Sequence, residues 1–469
     1  MEFVRTMDRE VTLPEMLEAR EARVFRQQTL MARYALPVIS FSLNIAGPIK
    51  NGPVIRRTFQ EGLSRLTGAL RAARVNIAYL EEVDQVTGCE AILSVQGEAR
   101  DIKGLCVELE DEDALGRLFD MDVLDPDGRK LDRESFGRPP RPCLVCGKAG
   151  KGCASRRLHT VEQLREATEQ IMRDFFAQKD EELIAGQAVR ALLYEVCTTP
   201  KPGLVDRANN GSHKDMNVFT FLDSTAALLP YFRKAVFIGW KTAERSPGET
   251  FLRLRRAGLE AERSMFAATK GINTHKGAIF SLGTVCAAAG RLWTPETPWA
   301  GTDRILEECA ALSREAVEED LAGLRAQAAQ TTGQRLFLEQ GVRGIRGELA
   351  DGLPSVRRVG LPALEKALEA GASLEDAGAA VLIRLIAQVT DTNLIARGGT
   401  EGQQWAARAA AELAGAVPDK GAIQALDRDF IRRNLSPGGC ADLLAITYFL
   451  CFCQEAGRAD RPLAKNDIT

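Results

Sequence analysis

The sequence predicts a two-domain protein, with an N-terminal α/β domain over residues 1–175 and a C-terminal all-α helical bundle over residues 176–469. Three observations carry this expectation. At 469 residues the chain exceeds the size at which a single hydrophobic core keeps growing. Before about residue 165, short apolar runs of strand character alternate with amphipathic segments. Beyond Glu181, long Ala- and Leu-rich segments with three- and four-residue spacing take over, and no strand-like alternation of comparable strength appears.

In the first domain, LPVISFSLNIAGPIK (Leu36 to Lys50) reads as a strand running into a Gly-Pro turn. Val54 to Ala73 repeats apolar residues as an amphipathic helix does. EAILSVQ, GLCVELE and LGRLFDMDVLD are expected as strands, with Pro126-Asp127-Gly128 as a turn into a return strand. Arg173 to Glu182 holds the boundary as a helical or partly ordered linker. The bundle is built from segments such as EELIAGQAVRALLYEVC, AIFSLGTVCAAAGRLW, LEDAGAAVLIRLIAQV and ADLLAITYFLCFC.

Composition narrows the function. The formal charge of -3 argues against wholesale binding to nucleic acid or to an anionic membrane. No apolar run approaches the ~20 residues that span a bilayer. The N-terminal MEFVRTMDREVTLPEM lacks the apolar core of a signal peptide, so a cytoplasmic location is expected. Eleven cysteines in such a chain suggest thiols or metal ligands rather than disulfides.

Five polar interruptions of one style break the helical half: Thr199–Met216, Gly271–Gly283, Gly341–Pro354, Thr390–Gly399 and Asn434–Leu444. Each combines Gly with charged or amide side chains, often just before a new helix, where free amide N–H groups and the helix dipole suit phosphate. Gly203, Gly398 and Gly399 with Lys201, Lys276 and Arg397 are the candidate phosphate binders. Asp206, Asp215, Asp391 and Asp442 are candidate Mg²⁺ ligands, and Asp206, His213, Asp215, His275 and Asp391 candidate catalytic groups. Singly, each aspartate also reads as a helix cap, each histidine as structural, and Cys440 as a packed small residue. Recurrence favours a polyphosphate-nucleotide site, since two of the three histidines fall in these loops.

Within these loops EVCTTPKPGLVDRANNGSHKDM, GINTHKGAIFSLG, TDTNLIARGG and NLSPGGCADLLAITYFL closely resemble triphosphoribosyl-dephospho-CoA synthase, in the same order and over nearly all of Glu181 to Leu450. The resemblance implies a reaction of ATP with 3′-dephospho-CoA. The 2′-hydroxyl of the dephospho-CoA ribose attacks C1′ of the ATP ribose and displaces adenine, giving the precursor of the citrate lyase prosthetic group.

The N-terminal half carries two further constellations. Asp120 and Asp122 lie two apart in an expected strand and so share one face, a common way to hold Mg²⁺ beside phosphates. Glu108 and Glu110 are expected to repeat that spacing on a neighbouring strand; the alternative is a solvated edge face. Cys143, Cys146, Cys153 and His159 are spaced C-x2-C-x6-C-x5-H, an inventory that suits zinc, with buried or free thiols as the alternative. Between Arg138 and Arg157 lie basic residues and no acidic ones, which suits an acidic partner surface.

NIAGPIK, ARDIKGLCVELE, LGRLFDMDVLDPDG and RPCLVCGKAGKGCASRRLH resemble apo-citrate lyase phosphoribosyl-dephospho-CoA transferase (holo-citrate lyase synthase), over about Leu13 to Leu164. That family implies a nucleotidyltransferase-like fold, a mixed sheet with helices, and transfer of the group to a serine of the citrate lyase acyl carrier (gamma) subunit with release of pyrophosphate. The His-Pro often found before LGRL in the family is Asp113-Ala114 here, so no histidine is available at that point. Together the halves are expected to make and then attach the group, with ATP, 3′-dephospho-CoA and the carrier subunit as partners and Mg²⁺ as cofactor. Three alternatives stay open: a nucleotide or ADP-ribosyl glycohydrolase in the helical half, an N-terminal module that only binds the carrier, and the equivalent malonate decarboxylase pathway.

Overall fold

The computed structural model describes residues 9–148, 153, 156–324, 332–415 and 419–459. The chain divides into two compact units, Met1–Gln178 and Lys179–Thr469. The boundary falls inside a helix, Val161–Cys197, which takes up the expected linker.

The first unit runs α1 (Leu13–Tyr34), β1 (Val38–Leu43), α2 (Pro53–Ala72), β2 (Ile77–Gln85), β3 (Gly88–Val95), α3 (Ala99–Asp111) and β4 (Phe119–Leu124). Thr12 and Glu15 start α1 with a reciprocal capping box. The strand order is β2-β3-β1-β4, and every neighbouring pair is antiparallel. The expected mixed sheet is therefore corrected. Each crossover, β1–α2–β2 and β3–α3–β4, joins parallel strands, but a third strand is inserted between them, which is the split βαβ arrangement. One face of the sheet packs Phe41, Phe119 and Met121 against Phe59, Leu63 and Leu66 of α2 and Ile102 and Cys106 of α3.

GLCVELE is helical, not a strand. The buried positions of α3 are Ile102, Lys103, Cys106, Val107 and Glu110, a helical stripe obscured in the sequence by its two charged members. Those two earn their burial at one backbone position. Lys103 Nζ donates to the Met121 carbonyl (2.8 Å) and Glu110 Oε1 accepts the Met121 N–H (3.0 Å), fastening α3 to β4. Glu108 is exposed on the other side, so the expected second carboxylate pair does not exist.

The second unit is helical. After α4 (Val161–Cys197) come α5 (Val218–Lys241), α6 (Pro247–Ala268), α7 (Lys276–Leu292), α8 (Thr302–Leu324), α9 (Thr332–Gln340), α10 (Gly344–Ala350), α11 (Leu361–Glu369), α12 (Leu374–Gln388), α13 (Thr392–Glu412), α14 (Lys420–Arg432) and α15 (Gly438–Ala459). Small residues let the backbones touch. A methyl group on Gly239 of α5 would lie 2.0 Å from the Ala287 carbonyl oxygen, and one on Gly290 of α7 2.1 Å from that of Val236. Among the described residues no single helix is long and apolar enough to cross a membrane.

Candidate active site

The five polar loops of the helical unit meet around one cavity of about 720 Å³, within the usual range for small-ligand sites. Its wall takes Lys201 and His213 from the first loop, His275 and Lys276 from the second, Arg343 and Glu348 from the third, Asp391 and Arg397 from the fourth, and Ser436 and Asp442 from the fifth. Glu195, from the last turn of α4, completes it.

Lys201 is almost fully buried, and its ammonium is 2.5 Å from Glu195 Oε1. That pair accounts for the charge of Lys201, so it is not a free phosphate ligand. Two cations at the rim are more open: Lys276, 2.9 Å from Glu262, and Arg343, 2.9 Å from Asp351. Arg397 donates to the Ser212 carbonyl (3.0 Å), Asn434 Oδ1 (3.2 Å) and His213 Nδ1 (3.3 Å).

Both histidine tautomers follow from their partners. Arginine only donates, so His213 Nδ1 accepts, and its Nε2–H donates to Ser436 Oγ at 2.9 Å. Burial, then the Arg397 charge, lower the His213 pKa against an opposing pull from Asp215. For His275, Thr274 Oγ1 donates to Ser224 Oγ (2.7 Å), which leaves the Ser224 proton for His275 Nδ1 (2.7 Å). Nε2 of His275 then carries the hydrogen, and it is buried without a partner. Burial, then the charge of Lys201, lower its pKa to about 3, so the ring is neutral at physiological pH. It is a hydrogen-bond donor rather than an acid or base.

The aspartates separate by what already occupies their oxygens. Asp206 does not line the cavity; it accepts N–H bonds from Lys201 (3.1 Å), Ala208 (2.7 Å) and Asn209 (2.9 Å) and so organises the loop. Asp215 is exposed beside the cavity wall rather than in it. Asp391 reaches the cavity but is spent as a double cap, taking the N–H groups of Asn393 (2.7 Å) and Leu394 (3.3 Å) on α13 and of Cys440 (2.8 Å) on α15. The helix starts expected to offer amides to phosphate are thus partly filled by this carboxylate. Burial raises the Asp391 pKa, and the same backbone bonds oppose the rise.

Asp442 differs from all three. It lines the cavity and makes no hydrogen bond or ion pair among the described residues. Burial, with Glu195 and Asp391 nearby, pushes it well above the usual carboxylate range. Uncompensated acid of this kind takes up a proton or a cation.

None of the three expected glycines lines the cavity, and two of them, Gly203 and Gly398, are close-packing positions. Gly203 has φ +71°, its N–H donates to Asp427 Oδ1 (2.8 Å), and a methyl group there would lie 2.2 Å from the Leu435 carbonyl oxygen. Gly398 abuts Leu435, and Gly399 (φ 64°, ψ -173°) breaks α13. Cys440 is a buried thiol pushed far up by burial and Asp391, so it is no nucleophile. Glu195, Arg343 and Glu348 were not singled out from sequence. The third loop's vocabulary flagged the last two, whereas Glu195 sits in an ordinary-looking helix end.

In the first unit, Asp120 and Asp122 lie on one face of the edge strand β4, opposite Ser42 and Ser40 of β1. Asp122 pairs with Lys130 (2.6 Å), and Asp120 is half-exposed with Arg141 at 3.9 Å. The ligand atoms of Cys143, Cys146, Cys153 and His159 all lie within 4.8 Å of one another. Of the basic residues from Arg138 to Arg157, Arg138, Lys148, Arg156 and Arg157 are exposed and Arg141 is partly buried, while Lys151 lies outside the described residues.

A split βαβ unit with an acidic edge, joined to a helical unit with one charged cavity, is the architecture of a two-site enzyme. Residues 11–175 match CitX, apo-citrate lyase phosphoribosyl-dephospho-CoA transferase, and residues 181–461 match CitG, ATP:dephospho-CoA triphosphoribosyl transferase. The chain is 35% identical over 458 residues to Protein CitXG of Leuconostoc mesenteroides subsp. cremoris, covering 94% of this chain and 97% of that protein. It is 36% identical over 457 residues to Protein CitXG of Haemophilus influenzae, covering 94% and 96%. It is also 42% identical over 265 residues to the 2-(5''-triphosphoribosyl)-3'-dephosphocoenzyme-A synthase of Pectobacterium atrosepticum, covering 56% of this chain and 87% of that protein. The chain belongs to the CitXG family. It is a bifunctional transferase of citrate lyase prosthetic-group synthesis and attachment.

Proposed function

We propose that the helical cavity joins ATP to 3′-dephospho-CoA. The 2′-hydroxyl oxygen bonds to C1′ of the ATP ribose, the C1′–N9 bond breaks, and adenine leaves with its electron pair and a proton. Substitution at this carbon builds positive charge on the sugar, which nearby carboxylates stabilise. Glu195 and Asp442 supply that negative charge, accept the hydroxyl proton and hold Mg²⁺, whose role is to neutralise the triphosphate. Lys276, Arg343 and Arg397 bind the triphosphate, with His213 positioning Arg397. The neutral His275 Nε2–H donates a hydrogen bond to the departing base.

The observation that carries this reading is the convergence of five chain segments on one cavity holding an uncompensated Asp442 and an unpartnered His275 nitrogen. Adenine release measured with and without dephospho-CoA tests it. Release should require dephospho-CoA, and release in its absence would identify a glycohydrolase.

The N-terminal unit then attaches the group to a serine of the citrate lyase acyl carrier subunit by nucleotidyltransferase-type chemistry, with pyrophosphate as leaving group. Asp120 and Asp122 at an accessible strand edge support a metal-assisted step there. The Cys143–His159 cluster completes the cofactor set as a zinc site. Mass spectrometry of apo-carrier incubated with the protein, ATP, Mg²⁺ and dephospho-CoA should show the added prosthetic group; no gain in mass would leave this unit a mere carrier-binding module.

A further inference from the structure

We infer that zinc on Cys143, Cys146, Cys153 and His159 is a clamp that holds Arg141 beside the acidic edge of β4, so that the metal serves attachment alone and not the helical cavity. This rests on the zinc reading above and assigns the metal its purpose.

The donor set fits the ion closely. Zn–S bonds of about 2.3 Å in a tetrahedron separate two sulfurs by roughly 3.8 Å. Cys146 Sγ and Cys153 Sγ are 3.5 Å apart, far beyond disulfide length, and all four cluster groups fall within 4.8 Å. The first two cysteines sit on a tight turn. Gly147 N–H donates to the Cys143 carbonyl (3.0 Å), Cys143 N–H donates to that of Lys148 (2.7 Å), and Gly147 has φ +69°. The turn aims both sulfurs to one side of a C-x2-C-G loop. His159 Nε2 is buried and has no hydrogen-bond partner, an uncompensated cost that coordination removes.

What the cluster secures is visible two residues upstream. Arg141 donates to the Phe119 carbonyl at the start of β4 (2.6 Å), pairs closely with Glu110 and stands 3.9 Å from Asp120. Arg117 Nε donates to the carbonyl of the intervening Pro142 (2.9 Å). Glu110 is buried, so losing Arg141 would leave a carboxylate inside the unit whose remaining ion pair among the described residues is the more distant Arg133 (3.7 Å). From Asp125 to Thr160 the described chain has little regular structure beyond one short 3-10 turn, Arg133–Phe136. Leu144 is its member packed on the sheet core. With so little apolar burial, metal coordination is the main available source of order for this segment.

The full-length protein carries its own control, because it has two separable activities. Purified protein should contain one zinc per chain by elemental analysis, and Cys146→Ser should contain none. Removing zinc with a zinc-selective chelator, Mg²⁺ kept in excess, should lower transfer of supplied precursor to apo-carrier about tenfold or more. Adenine release should stay within about twofold, and added zinc should restore transfer. Arg141→Ala should keep its zinc yet lose transfer to a similar extent. Chelation and restoration decide the matter even where Cys146→Ser fails to fold. Zinc-free protein with these cysteines oxidised would overturn the zinc reading itself. Bound zinc whose removal leaves transfer unchanged, or lowers both activities equally, would overturn the clamp while leaving the metal in place.

Discussion

The Asp442 carboxylate lies directly against the first turn of α7: a methyl group on Gly277 would come 1.9 Å from Asp442 Oδ2. Gly277 is thus the space that lets an acidic side chain of α15 face the cavity beside His275. Gly277→Ala should displace that carboxylate while leaving helix α7, if anything, intrinsically favoured. The expected result is a loss of adenine release of about a hundredfold with unchanged far-UV circular dichroism. Near-normal release would remove Asp442 from the chemistry.

His275 predicts a pH effect on stability with a definite sign. Its pKa is lowered to about 3 in the folded protein, against an ordinary value near 6.5, so between these values the unfolded chain binds the extra proton. Its contribution is therefore complete above about pH 6.5 and falls as pH drops towards 3, by roughly 1 kcal/mol per pH unit. His275→Gln should flatten this acid slope. All four tryptophans, Trp240, Trp293, Trp299 and Trp405, belong to the helical unit, so their fluorescence follows its unfolding alone. An identical slope in the variant would show that the buried ring is not what titrates.

Asp391 predicts a structural phenotype rather than a purely chemical one. Asp391→Ala removes acceptors from three backbone N–H groups on two helices and should cost about 1–3 kcal/mol. Urea titration followed by the same fluorescence measures it. Unchanged stability would mean that water replaces the carboxylate.

The buried pair beneath the cavity makes a third kind of prediction. Lys201→Met leaves Glu195 without its counter-charge and should destabilise the helical unit by about 3–5 kcal/mol. Lys201→Met combined with Glu195→Gln should recover part of that stability but not adenine release. Recovery of release as well would confine both residues to a structural part.

Asp120→Asn should abolish modification of the carrier when precursor is supplied and leave adenine release unchanged. Loss of both activities would argue that the substitution damages more than the β4 edge.

The helical unit was largely legible in the sequence because its signal is repeated: three- and four-residue spacing marks the helices, and the five loops share one polar vocabulary. Which residues of those loops face the cavity was not legible. Asp206 and Asp442 are equivalent as letters, yet three backbone amides occupy the first and none the second. In the other unit, Lys103 and Glu110 on the buried stripe of α3 broke the periodicity and made GLCVELE look like a strand. The paired placement of Asp120 and Asp122 needed only period-two alternation and was readable directly. Helix α1 went unremarked, although the Thr12–Glu15 capping box announces it.

The fifth wall of the cavity, Ser436 to Leu443, is made well after the α/β unit, which is complete by Gln178. On the ribosome the attaching half can therefore fold long before the synthesising half has a pocket at all. A newly made chain is a consumer of the activated group before it becomes its producer, and a transcript cut short ahead of α15 yields only the consumer.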